Sequence, residues 1–341
     1  MYRKIMGFLE AWKESEHRKP LILQGARQVG KTYSILEFGR THYENVAYFN
    51  FETNPKLNET FEENISPDYL IPILSHIAGQ TIVKEKTLIV FDEVQLCERA
   101  LTSLKYFCED APDYHIIVAG SLLGVAVNRA KFSFPVGKVD MKTLYPMDME
   151  EFMLALGEDD LVAQIKKCFQ TDTPLPSALH DAAMQLYRQY LVVGGMPECV
   201  MQFAETKDYI LVRHTQDTIL ASYLNDMSKY NNLNEIKKTR LAYDNITVQL
   251  SKKNTRFQYK LIKKGGRASE FENAIEWLCL SGIVSQVYKV EQIKKPLENY
   301  RDIDAFKIYV SDLGLLCAKK DLAANDILYM VEEINDFKGG M

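Results

Sequence analysis

The 341-residue sequence predicts an α/β fold in its first half and a mainly helical second half. Three observations lead to this prediction. Short apolar runs alternate with stretches of helical spacing, a glycine-rich loop joins the first strand to a helix, and the alternation stops near residue 148. Hydrophobic residues make up 47% of the chain, which is enough for more than one core. A chain of this length is expected to form two or three domains.

The predicted strands follow one another as they do in a sheet covered by helices on both faces. They are residues 20–25, 45–52, 86–95, 114–121 and 138–147. The run KTLIVFDEVQ is apolar on both faces, which is typical of a parallel strand buried between two layers of helices. The alternation of strands and helices therefore predicts a three-layer α/β domain with a parallel sheet and right-handed crossovers.

The loop GARQVGKT follows the first strand and precedes a helix. It fits the pattern G-x-x-x-x-G-K-[ST] of phosphate-binding loops, in which the glycines let backbone N–H groups face the phosphates. Lys31 is predicted to reach the β- and γ-phosphates, and the Thr32 hydroxyl is predicted to bind Mg²⁺. The residues predicted to contact the nucleotide are Gly25, Ala26, Arg27, Gln28, Val29, Gly30, Lys31 and Thr32. We therefore expect ATP or ADP with Mg²⁺ as the cofactors.

Two carboxylates end the third strand. Asp92 is predicted to bind Mg²⁺ through water, and Glu93 is predicted to activate the attacking water as a general base. Asp alone would fit a small-molecule kinase or a GTPase, whereas Asp followed by Glu fits an ATPase. Ser121, at the end of the fourth strand, is predicted to sense the γ-phosphate or to place the attacking water. Lys31, Glu93 and Ser121 are thus the predicted catalytic residues.

The chain divides into four predicted regions. They are a P-loop ATPase domain at 1–150, a helical lid at 151–230, a winged-helix-like domain at 231–318, and a C-terminal helix or tail at 319–341. The third region is assigned from its order of helices followed by strand, loop and strand, which is the order of a winged helix.

Several sequence blocks are spread over most of the chain, from residue 24 to residue 230. They are QGARQVGKT, YFNFE, FDEVQ, VAGSLLG, FSFPVGKV, LYPMDMEEF, YLVVGGMPE and YLNDMSKY. With these blocks the sequence resembles an AAA-type P-loop ATPase family of bacteria and archaea, in which a C-terminal region of unknown function follows the AAA domain. The resemblance implies an additional-strand P-loop core, with the Ser121 strand between the loop strand and the Asp92 strand. It also implies that Pro197 of GGMPE lies near the nucleotide and reports its state to the lid.

The sequence departs from this family in two places. Where relatives often have Gly-Arg, this chain has Gly137-Lys138, which leaves the identity of an arginine finger open; Arg129 is the nearest arginine. Relatives also commonly continue into a further α/β domain that resembles restriction-type nucleases, and this chain ends about where that domain would begin. It is therefore expected to be a short member or a shortened one. We find no nuclease-like set of carboxylates and lysine, so nuclease activity is not predicted.

A basic segment lies within the predicted winged helix. Residues 235–267 contain ten Lys or Arg and two acids, although the whole chain has a net charge of −5. Such a segment could contact DNA phosphates. The following helix, 268–282, has Glu270, Glu272 and Glu276 and no Lys or Arg, which makes it a poor reader of the major groove. We therefore favour a protein partner or self-association over DNA.

No apolar run of about 18 residues and no signal-peptide core is present, so a cytoplasmic protein without membrane contact is expected. The predicted function is Mg²⁺-dependent ATP binding and hydrolysis by a P-loop domain coupled to a winged-helix module. The alternative is a nucleotide-gated switch that binds ATP or ADP, hydrolyses little by itself, and acts through a protein or DNA partner. A P-loop kinase is a weaker third reading, because no arginine-rich lid is evident.

Overall fold

The computed structural model describes residues 1–120, 134–229, 233–252 and 256–329. The chain forms two compact units, one of residues 3–145 and one of residues 146 onward together with residues 1–2. In the described ranges, no helix has both the length and the apolar character needed to cross a bilayer.

The N-terminal unit contains a five-stranded sheet in which every neighbouring pair of strands runs parallel. Its strands are β1 (Leu21–Gln24), β2 (Asn45–Asn50), β3 (Thr87–Asp92), β4 (His115–Ala119) and β5 (Asp140–Thr143). The order across the sheet is β2-β3-β4-β1-β5. The predicted parallel sheet is therefore confirmed, and so is the insertion of β4 between β1 and β3.

Five helices accompany this sheet among the residues described for this unit. They are α1 (Ile5–Lys13), α2 (Lys31–His42), α3 (Lys56–Glu63), α4 (Pro67–Ala78) and α5 (Glu98–Asp110). All six residues of β3 are buried, as expected for a central strand covered on both faces. The aromatic side chains of Phe51, Phe61 and Phe91 pack on one another in this core, and the rings of Phe61 and Phe91 are perpendicular at a centroid distance of 5.5 Å.

The register of the sheet brings the polar strand ends together. Asn50 at the end of β2 pairs with Asp92 at the end of β3, and Leu23 of β1 pairs with Ala119 of β4. Because all strands are parallel, their carboxyl ends lie at one edge, which is where open α/β sheets bind ligands. The loop after β1 and the acids after β3 therefore meet at this edge.

The C-terminal unit begins with helices. They are α6 (Met149–Ala155), α7 (Asp159–Gln170), α8 (Ser177–Val193), α9 (Pro197–Thr206) and α10 (Tyr209–Lys229). The start of α6 is fixed by a capping box: the Asp148 carboxylate accepts the N–H of Glu151 at 3.0 Å, and the Glu151 carboxylate accepts the N–H of Asp148 at 3.2 Å.

In the remaining described residues of this unit, helices alternate with turns and with a β-hairpin. These residues form α11 (Leu233–Leu250), α12 (Ala268–Leu280), the antiparallel strands β6 (Val284–Val290) and β7 (Arg301–Val310), α13 (Leu313–Lys319) and α14 (Ala324–Leu328). Between α11 and α12 the chain makes a short 3₁₀ helix at Tyr259–Leu261. Since that element is a single 3₁₀ turn and not a full helix, the winged helix stays a prediction.

Candidate active site

The loop between β1 and α2 has the backbone that its glycines predict. Gly25 has a φ of +148° and Gly30 a φ of +89°, and Gln28 also has a positive φ of +66°. A Cβ atom on Gly25 would lie 2.2 Å from the carbonyl oxygen of Leu144, so this position requires glycine. No side chain caps α2 at Gly30. The N-terminal turn of α2 is therefore suited to an anionic ligand.

Lys31 is held against its own loop. Its side chain is 7% exposed, and its Nζ atom donates to the carbonyl oxygens of Gly25 at 2.9 Å and Ala26 at 2.8 Å. These two bonds fix the ammonium group over the start of the loop. A cation placed there is suited to binding phosphate oxygens.

Thr32 and Asp92, which are sixty residues apart in sequence, are in direct contact. The Thr32 hydroxyl donates to Oδ2 of Asp92 at 2.9 Å, and Asp92 is only 5% exposed. A hydroxyl and a carboxylate are hard oxygen ligands of the kind that Mg²⁺ takes together with water and phosphate oxygens. The two residues predicted to hold the metal are thus side by side, and their donor types fit the ion. Among the described residues there is no cluster of three or more His, Cys, Asp or Glu that could hold a metal.

Asp92 has two further partners. The Tyr48 hydroxyl donates to the same Oδ2 atom at 2.7 Å, and the Glu93 N–H donates to Oδ1 at 2.9 Å. The sequence reasoning did not single out Tyr48. Residues 48 and 50 of β2 share a face of the sheet, but the register that places Asn50 opposite Asp92 is a property of the fold and could not be read from the sequence.

Glu93 lies where β3 ends, in the left-handed region with a φ of +51°. Burial raises the pKa of its carboxyl group, and the neighbouring Asp92 charge adds to this rise, while a hydrogen bond from Gln95 opposes it. The Gln95 side-chain amide donates to Oε2 of Glu93, and the carbonyl oxygen of the same amide is buried with no hydrogen-bond partner. Gln95 was missed from the sequence, since nothing in FDEVQ indicates which way its side chain turns.

Arg3 is a second residue that sequence reasoning missed. Its guanidinium is buried, and it donates to the carbonyl oxygen of Val29 at 2.9 Å and to that of Tyr145 at 2.8 Å. It therefore ties the glycine-rich loop to the segment that follows β5. Its position three residues from the N-terminus, in a stretch that resembles an ordinary amphipathic helix, gave no signal of this role.

Four other positions that the sequence analysis named have different outcomes. Ser121 and Arg129 lie outside the described residues. Lys138, which stands where relatives often have arginine, forms an ion pair with Glu109 at 2.9 Å. Pro197 is the first residue of α9 in the C-terminal unit.

The GGMPE stretch that contains Pro197 is tightly packed within its own unit. The N–H of Gly195 donates to Oδ2 of Asp312 at 2.6 Å, and its carbonyl oxygen accepts the N–H of Met147 at 2.6 Å. A Cβ atom on Gly195 would lie 1.9 Å from the carbonyl oxygen of Met147, and one on Gly194 would lie 2.3 Å from the Asp312 carboxylate. Both glycines are therefore required for close packing.

Asp312 is fully buried and caps α13. Besides Gly195, its carboxylate accepts the N–H of Leu315 at 2.8 Å. Burial raises the pKa of Asp312 to about 6, and the backbone hydrogen bonds counteract only part of that rise. No sequence pattern pairs residue 312 with residue 195, because the two lie 117 positions apart.

Comparisons with known proteins agree with this geometry. Residues 17–153 match the family model of an AAA domain, and residues 184–326 match that of a domain of unknown function (DUF8612). No curated protein matches the chain significantly.

Two solved structures match most of the chain at low sequence identity. The Walker-type ATPase paby2304 of Pyrococcus abyssi is 13% identical, with a TM-score of 0.56 over 94% of this chain and 95% of that one. The ORC2 protein of Aeropyrum pernix is 12% identical, with a TM-score of 0.46 over 98% of this chain and 94% of that one. The likeness to the Pyrococcus ATPase is close enough to show a shared fold, whereas the second is too distant to support an argument.

Proposed function

From the AAA-type P-loop ATPase domain at residues 17–153, we propose that this chain binds ATP with Mg²⁺ and hydrolyses it. The observation that carries the proposal is the hydrogen bond between Thr32 Oγ1 and Asp92 Oδ2. It joins the two halves of the predicted metal site, which come from the glycine-rich loop and from the end of β3.

In this proposal each residue has one task. The loop N–H groups and Lys31 bind the phosphates, and Thr32 with Asp92 holds Mg²⁺. When bound, Mg²⁺ neutralises the charge that develops on the phosphate oxygens. The Glu93 carboxylate accepts a proton from the attacking water, and the rise in its pKa makes it a stronger base than an exposed glutamate.

The test is steady-state ATP turnover by the wild type and by Glu93→Gln. We expect Glu93→Gln to bind ATP normally and to lose about 10²–10⁴-fold in turnover, because only the proton acceptor is removed. Glu44→Gln, at an exposed ion pair with Lys86, is the matched control and is expected to turn over like the wild type. Equal turnover in wild type and Glu93→Gln would remove Glu93 from the mechanism.

A nucleotide-gated switch with little intrinsic hydrolysis is the second candidate. Two contacts favour it: Gln95 already engages the Glu93 carboxylate, and Lys138, at the arginine-finger position, is paired with Glu109. A protein that purifies with bound nucleotide and shows no turnover at any concentration would support the switch. Turnover that rises steeply with protein concentration would instead support hydrolysis driven by self-association.

The roles of Ser121 as a γ-phosphate sensor and of Pro197 as a reporter of nucleotide state stay predictions. The same holds for the domain boundaries, for the winged helix and for a cytoplasmic location. Measured turnover of Ser121→Ala and Pro197→Ala, beside their nucleotide affinity, would test the two residues separately.

A partner that contacts the basic segment also stays a prediction. Lys238 and Lys263 of this segment pair with Glu235 and Glu270 at 2.9 and 3.3 Å, which reduces the charge offered to phosphates. These pairs favour a protein partner over DNA. A salt-titrated binding assay that finds no DNA affinity at low ionic strength would end the DNA hypothesis.

A further inference from the structure

Tyr48 occupies a position in the site that neither the sequence motifs nor the family match assigns. Its hydroxyl donates to Oδ2 of Asp92 at 2.7 Å, the same atom that accepts the Thr32 hydroxyl at 2.9 Å. The Glu93 N–H donates to Oδ1, so the Asp92 carboxylate accepts three hydrogen bonds from donors in three different elements. These are the start of α2, strand β2 and the end of β3.

Tyr48 is itself held by Asn50. The Asn50 amide nitrogen donates to the Tyr48 hydroxyl oxygen at 3.2 Å. The other end of the same amide is fixed, because the Asn50 carbonyl oxygen accepts the N–H groups of Glu52 at 2.9 Å and Thr53 at 3.0 Å. The amide orientation therefore follows from its partners, and the phenol proton is directed to Asp92.

The backbone explains why these three side chains meet. Residues 48 and 50 are two apart on β2 and so lie on the same face of the sheet. Strand β2 is the direct neighbour of β3, with Tyr48 opposite Val90 and Asn50 opposite Asp92. Tyr48 is 38% exposed, so it lies at the rim of the site and not in the core.

We propose that Tyr48 is a positioning residue for the metal, which holds the Asp92 carboxylate in the orientation that Mg²⁺–ATP needs. The inference rests on the proposed function, because it assumes that Asp92 serves the metal. Residues that hydrogen-bond to a metal ligand fix the orientation of that ligand, and their loss typically lowers metal affinity or activity about 10–100-fold. Tyr48 acts through Asp92 and does not itself contact the metal or the nucleotide.

The experiment measures equilibrium binding of a fluorescent ATP analogue in Mg²⁺ and in EDTA, for the wild type and for Tyr48→Phe. The ratio of the two dissociation constants reports how much Mg²⁺ strengthens binding. We expect Tyr48→Phe to keep the wild-type dissociation constant in EDTA and to lose about tenfold in the Mg²⁺ enhancement. A melting temperature in EDTA equal to that of the wild type would show that the fold is intact.

Tyr69→Phe is the matched control. Tyr69 also donates to a carboxylate of the same unit, that of Glu63, but in an exposed pair between α3 and α4. We expect Tyr69→Phe to keep the full Mg²⁺ enhancement. A Tyr48→Phe protein with the wild-type enhancement, or with a larger one, would overturn the assignment.

The two proposals fail in distinguishable ways. If the wild type binds the analogue equally well in Mg²⁺ and in EDTA, the metal site at Thr32 and Asp92 is wrong, and the Tyr48 assignment falls with it. If Mg²⁺ strengthens wild-type binding and Tyr48→Phe keeps that strengthening, only the Tyr48 assignment is wrong.

Discussion

The loop at residues 25–30 and the turn at residues 194–195 both depend on glycine, but their neighbours are of different kinds. At the loop, a Cβ on Gly25 would strike the Leu144 carbonyl, and the N-terminal turn of α2 has no side-chain cap. At the turn, both glycines are enclosed by Met147 and Asp312, and the N–H of Gly195 is already bonded.

This difference separates a glycine motif built for a ligand from one built for packing. In the first, the chain also crowds Gly25, but the start of α2 has no side-chain cap and is suited to an anion. In the second, the space and the hydrogen bonds are taken by the chain itself. The substitutions below separate the two, since those at the loop are expected to change chemistry and those at the turn to change stability.

The largest expected effect is that of Gly195→Ala. The added methyl carbon would lie 1.9 Å from the Met147 carbonyl oxygen, and backbone cannot yield as a side-chain end can. We expect a loss of about 3 kcal/mol or more in the free energy of unfolding, measured by urea denaturation. Gly7→Ala, in α1 where nothing lies within 4 Å of the added carbon, is the control without crowding and should cause no loss of stability. Equal losses would mean that crowding at Gly195 is not the cause.

Lys31→Met is expected to lower activity and to leave stability nearly unchanged. Removing the ammonium group from the loop should lower ATP turnover about 100-fold while leaving the nucleotide-free melting temperature close to that of the wild type. Lys138→Met, which breaks only an exposed pair with Glu109, should change neither quantity. Lower turnover in Lys138→Met would reveal a contribution of Lys138 to the reaction. A large fall in the melting temperature of Lys31→Met would show that Lys31 is also needed for the stability of the fold.

Gln95→Leu tests the contact between Gln95 and the predicted general base Glu93. The Gln95 amide touches the Glu93 carboxylate and the change leaves the phosphate-binding residues in place. We expect kcat to fall about tenfold with KM nearly unchanged, since an orienting contact to the general base is lost. Leu96→Ala, at an exposed neighbour, should leave both constants unchanged. An increase in kcat would instead mean that Gln95 restrains Glu93 in an idle position.

The smallest expected effect is a pH dependence of the stability that Asp312 contributes at the turn of residues 194–195. The folded pKa of Asp312, about 6, is above the ordinary value of 3.8, so the folded state binds this proton more tightly than the unfolded state. The contribution of Asp312 to stability is therefore greatest below pH 4 and is lost as pH rises toward 6. Asp312→Asn should be less stable by about 1–3 kcal/mol, because one N–H partner loses its acceptor.

The stability gap between the wild type and Asp312→Asn should narrow by about 1 kcal/mol between pH 5 and pH 7, as the wild type loses this contribution. Urea denaturation at several pH values measures it. A constant gap for Asp312→Asn would show that its carboxyl group does not titrate in this range.

The ligand motif could be predicted from sequence, and the packed turn could not. The residues from Gly25 to Thr32 form a contiguous pattern whose spacing encodes its own geometry, and Asp92 follows a run of apolar residues that indicates the end of a buried strand. Tyr48, Gln95 and Arg3 escaped prediction because each acts through a contact with a residue distant in sequence or through a side-chain direction. For the same reason the pairing of Gly195 with Asp312 required the fold.

The secondary structure also contains features that could be predicted from the sequence and features that could not. The insertion of β4 between β1 and β3 was implied by the resemblance and is confirmed by the strand order of the sheet. It could not be derived from the residues alone, because the rule of right-handed crossovers allows more than one order of parallel strands. By contrast, the 3₁₀ turn at Tyr259–Leu261 was not singled out from the sequence. A single turn is too short to give a periodic pattern of apolar residues.

The contact between Gly195 and Met147 has a consequence for how this protein can diverge. A relative that lost ATP hydrolysis would be free to vary Lys31 and Glu93, but it would still need glycine at 195 to keep its C-terminal unit folded. Relatives that have lost hydrolysis should therefore vary in the loop at residues 25–32 and still have glycine at positions 194 and 195.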